Sequence, residues 1–277
     1  MNEDIRRVQE KCIEILDAID LICRKHNIQY SLCGGSVVGA HLYNACLPWD
    51  DDIDLMMTRE NYDHFLSVAV KELPKGLSIH NFQMSREYWS LFTKIVDDNT
   101  TVVQQDGSIS GVFLDITVYD KIPENLWKNE DIFLWKVSQV VMIGKLKSRD
   151  IKSIIRNYIL ENWLTNKRDF FLYFQKRVIK NSNKSERYCY SELFGAYCNT
   201  KPYAPSIFEN YTEILFEDKT YMIVRDYVQY LETRYERTDF HEPEDRQIAP
   251  HYKYVDLETP YKDYIKSQTL INNVMMQ

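Results

Sequence analysis

The sequence predicts a mixed α/β fold of the α+β kind, a mixed sheet flanked by helices with an additional helical block. Three observations carry that prediction. Over residues 5–23 apolar side chains recur every three or four positions (Ile5, Val8, Cys12, Ile15, Leu16, Ile19, Ile22, Cys23), the stripe of an amphipathic helix. Between 28 and 119 short apolar runs alternate with turn residues, as strands do. From 130 to 182 the pattern turns helical again, in stretches near 131–147, 150–164 and 167–181. The 277 residues are 44% hydrophobic and 27% charged, enough for an ordinary buried core, and eight glycines and eight prolines exclude a collagenous or low-complexity chain.

Taken in order, "IQYSLCGG" after the first helix reads as a short strand broken by a glycine pair. Ser36 can cap a following helix over roughly 37–47 that Pro48 closes. "DIDLMM" reads as a strand, and Thr58 opens a helix carrying Tyr62, Phe65, Leu66 and Ala69. Strands are expected at 77–82, 89–96 and 111–119, with "DDNT" and "QDGS" as turns. After the helical block, "NSNKS" and "NTKPYAP" mark loops, short strands fall near 213–224, and a helix spans about 225–236. No internal repeat is present. The expected organisation is a catalytic core over 1–125, a basic helical insert over 126–185, and a segment over 186–277 that packs back on the core.

Several classes are excluded or disfavoured. The six cysteines (12, 23, 33, 46, 189, 198) form no CxxC pair and no zinc spacing, so reduced, mostly buried thiols are expected. The N-terminus is charged and lacks the apolar stretch of a secretory signal. No apolar run reaches bilayer length; "IFLWKVSQVVMIGKL" is too short and holds two lysines. A cytoplasmic protein is therefore expected. Residues 128–187 contain 14 Lys and Arg against 6 Asp and Glu, a net of +8 in a chain of −7, so the remainder carries −15. Such a basic block could face anionic lipid at the inner membrane face or a phosphorylated acceptor, although solvated helix faces also explain it.

The stretch "CLPWDDDIDLMM" holds the chemistry. Side chains alternate along a strand, so Asp52 and Asp54 share one face, about 7 Å apart, while Ile53 and Leu55 face the core. Two carboxylates so placed repel unless a cation compensates them, and hard divalent cations prefer such oxygens. A solvated acidic loop is the ordinary alternative. Asp50 and Asp51 read as residues that shape the strand mouth. Two further features favour the metal reading. "GGS" at 34–36 lies between a strand and a helix, where backbone N–H groups can meet phosphate. Asp115 interrupts the apolar strand "GVFLDITVYD", a costly place for a charge without a partner.

A strand ending in Gly-Ser, a helix, a strand with Asp-x-Asp and a later strand bearing a third Asp resemble the nucleotidyltransferase fold. The architecture then becomes a nucleotidyltransferase-type mixed sheet. More narrowly, "CGGSVVGAHLYNACLPWDDDIDLMMTRENYDHF" resembles the signature block of the LicD family of phosphorylcholine transferases, which fukutin-type phosphotransferases share. "FTKIVDDNTT" and "GVFLDITVYDKIPEN" resemble the next two blocks, in order. "VRDYVQYLETRYERTDFHEPEDRQIAPH" resembles the family's ending, although the usual Tyr-Gly-Asp reads "YER" and a Pro-Pro reads "EP".

The resemblance implies transfer of phosphorylcholine from CDP-choline to a hydroxyl of a cell-surface glycan precursor, of teichoic acid or lipopolysaccharide type, releasing CMP. Partners are then the CDP-choline donor and a glycan or lipid-linked glycan acceptor, with no nucleic acid. Mg²⁺, or Mn²⁺ in its place, is the implied cofactor, held by Asp52, Asp54 and Asp115, which are also the catalytic candidates. Asp115 is expected as the third ligand or as the general base. Gly35 and Ser36 would hold nucleotide phosphate, and Lys94 would reach phosphate or else lie at a strand edge. Arg246 and His251 occupy places matching the family's ending and are substrate candidates, whereas Arg59 reads as solvated. Choline's quaternary ammonium seeks aromatic faces, and Trp49 is the first candidate, before Tyr43, Tyr88 and Trp89. The rivals are transfer of another CDP-linked polyol phosphate or of a nucleotidyl group, a nucleotide-sugar glycosyltransferase using Asp-x-Asp, and a degenerate binding protein.

Overall fold

The computed structural model describes residues 3–85, 88, 92–124, 167–182, 187–192, 201–237, 239 and 251–275. In chain order the elements are α1 (Glu3–Lys25), β1 (Ser31–Leu32), α2 (Gly34–Tyr43), β2 (Asp54–Thr58), α3 (Arg59–Glu72), β3 (Leu77–His80) and β4 (Thr93–Asp97). Then come β5 (Thr101–Gln104), β6 (Ile109–Ser110), β7 (Phe113–Pro123), α4 (Lys167–Ser182), β8 (Tyr188–Ser191) and a 3₁₀ turn (Pro205–Phe208). The chain continues through β9 (Tyr211–Phe216), β10 (Lys219–Val224), α5 (Tyr227–Tyr235), β11 (Tyr252–Asp256) and α6 (Tyr261–Met275). The chain divides into two compact units, Met1–Tyr119 with Ser206–Gln277, and Asp120–Pro205.

The first unit is built on a mixed sheet in the order β1-β2-β7-β4-β3. Its central pair, β2 and β7, is parallel, and the remaining pairings along this path are antiparallel. Ile53, Leu55, Leu114 and Ile116 are wholly buried, so the middle of the sheet is core on at least one face. Every residue of the α1 stripe is buried, and the helix packs on α3 and β4. Glu3 and Asp4 open α1 and Arg24 and Lys25 close it, each sign matching its end of the helix dipole. Asn27, at φ 55, turns the chain out of the helix toward β1.

A second sheet, β11-β5-β6, and the hairpin of β9 and β10 complete this unit. Asp51 and His251, 200 residues apart in sequence, meet in it. In the second unit the end of β7 pairs with β8, whose Tyr190 bridges to Tyr203, and α4 lies in the same unit.

The observed architecture is the mixed sheet flanked by helices that the sequence predicts; several boundaries differ. Helix α2 starts at Gly34 rather than near 37, and ends at Tyr43, where Asn44 takes a left-handed conformation, φ 52, before Pro48 is reached. Ser36 therefore lies inside the helix and does not cap it. Strand β2 begins at Asp54, so Asp52 belongs to the extended segment entering it. Strands β5, β6, β8 and β11 and helix α6 were not foreseen. Of the three expected helices between 130 and 182, the first two lie outside the described residues, and the third matches α4. Most of the basic block falls outside as well, as do Cys198, Trp89 and Arg246. The other five cysteines are free and buried. Among the described residues no helix is long and apolar enough to cross a membrane.

Candidate active site

The site begins at the turn between β1 and α2. Cys33 N–H donates to the Asp54 carbonyl at 2.9 Å, holding the turn against the start of β2. Gly34 has φ +54, a conformation that suits a residue without Cβ, and a Cβ there would lie 3.5 Å from Asp54 Oδ2 and 3.6 Å from Arg234 Nε. At Gly35 a Cβ would come within 2.6 Å of Asp50 Oδ2. Gly35 thus leaves room for the Asp50 carboxylate, whereas at Gly34 the left-handed backbone itself calls for glycine. Ser36 Oγ accepts the Asp54 N–H at 3.0 Å, which stitches the first turn of α2 to β2. Helix α5 supports the turn from behind, because Tyr230 and Arg234 are one helical turn apart and share a face. Tyr230 Oη accepts the Gly34 N–H at 3.1 Å and lies 3.1 Å from Cys33 Sγ, while Arg234 reaches Gly34 and Tyr119.

Register across the sheet then sets a row of charges. Asp54 on β2 pairs with Asp115 on β7, and Asp115 pairs with Lys94 on β4. Partners directly opposite project from the same face, so the three side chains line up. Lys94 Nζ meets both Asp115 oxygens, at 2.8 and 2.9 Å, and lies 3.2 Å from the centre of the Phe113 ring. Three residues before Asp54, Asp51 is buried and takes two hydrogen bonds from His251, from the backbone N–H at 2.8 Å and at Nδ1 at 2.6 Å. One oxygen each from Asp50, Asp51 and Asp52 and one ring nitrogen of His251 lie within 4.8 Å of one another.

Crowding shows in the acidities. Burial, and then the neighbouring Asp52, push Asp50 up to about 8. Burial raises Asp54 well above the usual carboxylate range, reinforced by Asp52 and Asp115 and opposed by Arg234. Asp52 is raised by burial against the pull of His251, and Asp115 by burial against the pull of Lys94. His251 rises to about 9 because Asp51 accepts its hydrogen bond, and burial only partly offsets this. Lys94, Arg234 and His251 bring three positive charges to five carboxylates. That deficit, with a donor set of hard oxygens that the imidazole can join only by giving up its proton, fits a divalent cation such as Mg²⁺ or Mn²⁺.

The candidates from sequence therefore mostly converge. Asp52, Asp54, Asp115, Lys94, Gly35, Ser36 and His251 all lie at this site. Trp49 is half-buried next to it in sequence and stacks edge-on with Tyr43, ring centres 6.3 Å apart. Tyr88 pairs with His80 instead, and Arg59 is engaged by Asp63 at 3.5 Å and by the Tyr62 ring. Sequence reading left out Asp50 and Asp51 as donors, and it missed Arg234, Phe113 and Tyr252. For Arg234 a signal existed, the four-residue spacing from Tyr230 on a helix that had been foreseen.

A parallel strand pair with facing aspartates, beneath a Gly-Gly-Ser turn that opens a helix, is the arrangement expected from the sequence for a nucleotidyltransferase-type site. Residues 27–145 match the family model described as LicD/FKTN/FKRP, nucleotidyltransferase domain. A curated relative, the lipopolysaccharide cholinephosphotransferase LicD of Haemophilus influenzae, is 34% identical over 120 residues, 43% of this chain. The matched stretch spans 45% of that relative, a little under half its length.

Proposed function

We propose that this protein is a divalent-metal-dependent phosphorylcholine transferase, which moves phosphorylcholine from CDP-choline to a hydroxyl of a cell-surface glycan precursor and releases CMP. The observation that carries this reading is the row of Asp54, Asp115 and Lys94 across three adjacent strands, set against the Gly34–Ser36 turn. The name of the relative supports the choline phosphate and the glycan acceptor. Asp52, Asp54 and Asp115 would hold the cation, and Asp50, Asp51 and His251 extend the donor set. When bound, the cation supplies charge neutralisation for the donor's diphosphate.

This chain's own residues do the rest. Gly34 and Ser36 already spend their N–H groups on Tyr230 Oη and the Cys33 carbonyl, so Gly35 is the N–H of the turn best placed for nucleotide phosphate. Arg234 stands on the same side as a second phosphate partner. The acceptor oxygen forms a bond to the choline-bearing phosphorus, the bond from that phosphorus to CMP breaks, and Asp115 takes the acceptor's proton. Burial raises its proton affinity and Lys94 opposes that rise, the opposing pair of effects by which a carboxylate base is tuned. The acceptor is a teichoic acid or lipopolysaccharide precursor, glycan or lipid-linked, met in the cytoplasm or at the inner face of the membrane.

The reading is tested by CMP release from CDP-choline with Mg²⁺, in parallel with CDP-ribitol and UDP-sugars. Asp54→Asn and Asp115→Asn should each lower the rate by at least about a hundredfold. Release from CDP-ribitol but not from CDP-choline would overturn the donor assignment.

A further inference from the structure

A cavity of about 180 Å³ opens beside the carboxylates within the first unit. Val8, Val102, Val112 and Phe113 form apolar walls, and Tyr252 closes it from β11. Asp51, Asp52 and Asp115 lie along the polar side with Lys94. Two details mark this as a built pocket rather than a packing fault. One face of the Phe113 ring holds the Lys94 ammonium at 3.2 Å, which shows a π system polarised toward positive charge and leaves the ring edge and opposite face for a second cation. Tyr252 is only 8% exposed, and its hydroxyl finds no hydrogen-bond partner among the described residues. A buried phenol is normally paired, so its proton awaits an acceptor that a ligand must bring.

We propose that this cavity is the subsite for the donor's trimethylammonium head, with the Phe113 and Tyr252 rings against its methyl groups and the Tyr252 hydroxyl donating to an oxygen of the attached phosphate. The proposal rests on the phosphorylcholine reading above and adds the residues that select the transferred group. The chemistry of the walls decides between ligands. The valine and phenylalanine walls give a sugar or polyol no hydrogen-bond partner, so its hydroxyls could be met only on the polar side, where Gln104 and His251 join Asp51, Asp52, Lys94 and Asp115. A quaternary ammonium has an apolar skin, no N–H to satisfy and a positive charge for the nearby carboxylates. It also fixes polarity: the choline end points toward β5 and β11, and the cytidine end toward the Gly34–Ser36 turn and Arg234. Trp49, the aromatic nearest the aspartates in sequence, is not part of the cavity wall.

The test compares Phe113→Leu, which keeps an apolar side chain and removes the π face, with Tyr252→Phe and Trp49→Leu. CMP release is measured with CDP-choline and CDP-ethanolamine, and binding of phosphocholine to the metal-free protein is followed by saturation transfer to its methyl protons. Phe113→Leu should raise KM for CDP-choline about tenfold while changing that for CDP-ethanolamine far less, and should weaken the methyl signal. Tyr252→Phe should raise KM for both donors. Equal losses on both donors with Phe113→Leu, or loss of selectivity with Trp49→Leu instead, would overturn the subsite while leaving the transferase reading intact. A wild-type protein inactive on CDP-choline but active on another CDP-linked donor would overturn both.

Discussion

Five carboxylates converge within two short segments, and the physics of that convergence explains the small residues around them. Two unit charges about 4 Å apart in a partly screened medium repel by about 4 kcal/mol, a sizeable share of a domain's whole stability. Asp50 yields by holding its proton up to about pH 8, and Asp51 yields by pairing with His251. The close approach of Asp50 depends on Gly35, where a Cβ would meet Oδ2 at 2.6 Å. Gly35→Ala should therefore push the Asp50 carboxylate aside. Alanine favours the helix by about 1 kcal/mol, so melting should change little while half-saturation by Mg²⁺ rises about tenfold. A Mg²⁺ titration of CMP release, paired with a thermal melt, reads both effects; an unchanged half-saturation would mean that Asp50 takes no part in holding the cation.

Among the elements, those written in many residues were legible and those written in few were not. The stripe of α1 spans 23 residues and every predicted apolar position is buried. Strands β2 and β7 were readable because aspartates break otherwise apolar runs, and the same breaks marked the site. Strands β5, β6 and β11 have two to five residues each, too few for a period to show, and the partner of β5 lies about 150 residues away. The pairing of His251 with Asp51, and the approach of Arg234 to Asp54, are likewise products of tertiary folding that no local pattern encodes. Ser36 shows a subtler failure. Its position after a strand suggested a cap, but Gly34 starts the helix two residues earlier, and the hydroxyl turns to the Asp54 N–H. Ser36→Ala should leave that half-buried N–H without its partner and lower unfolding free energy by about 1 kcal/mol. Urea unfolding checks this, and a loss confined to donor KM with unchanged stability would return Ser36 to a purely phosphate-binding role.

At the scale of the molecule, the site ties stability to pH through proton uptake. Asp50 binds its proton up to about pH 8 when folded but only to about 3.8 when unfolded. Between those values unfolding releases the proton, so each rise in pH favours the unfolded chain until the folded carboxyl has also ionised. The raised proton affinities of Asp52, Asp54 and Asp115 act in the same direction. His251 adds to it: its charge is favoured in the fold, so its contribution is complete below 6.5 and lost as pH passes about 9. A divalent cation that binds only the folded, ionised carboxylates reverses this loss, and most strongly where protons no longer compete. The metal-free protein should thus melt at progressively lower temperature from pH 5 to pH 9. Added Mg²⁺ should change melting little at pH 5 and raise it clearly at pH 8 and above, and a chelator should remove that gain. Scanning calorimetry across pH with and without Mg²⁺ gives the answer directly. If melting at pH 8 were indifferent to Mg²⁺ and Mn²⁺ alike, the five carboxylates would not form a cation site, and the phosphoryl-transfer reading would lose its physical basis.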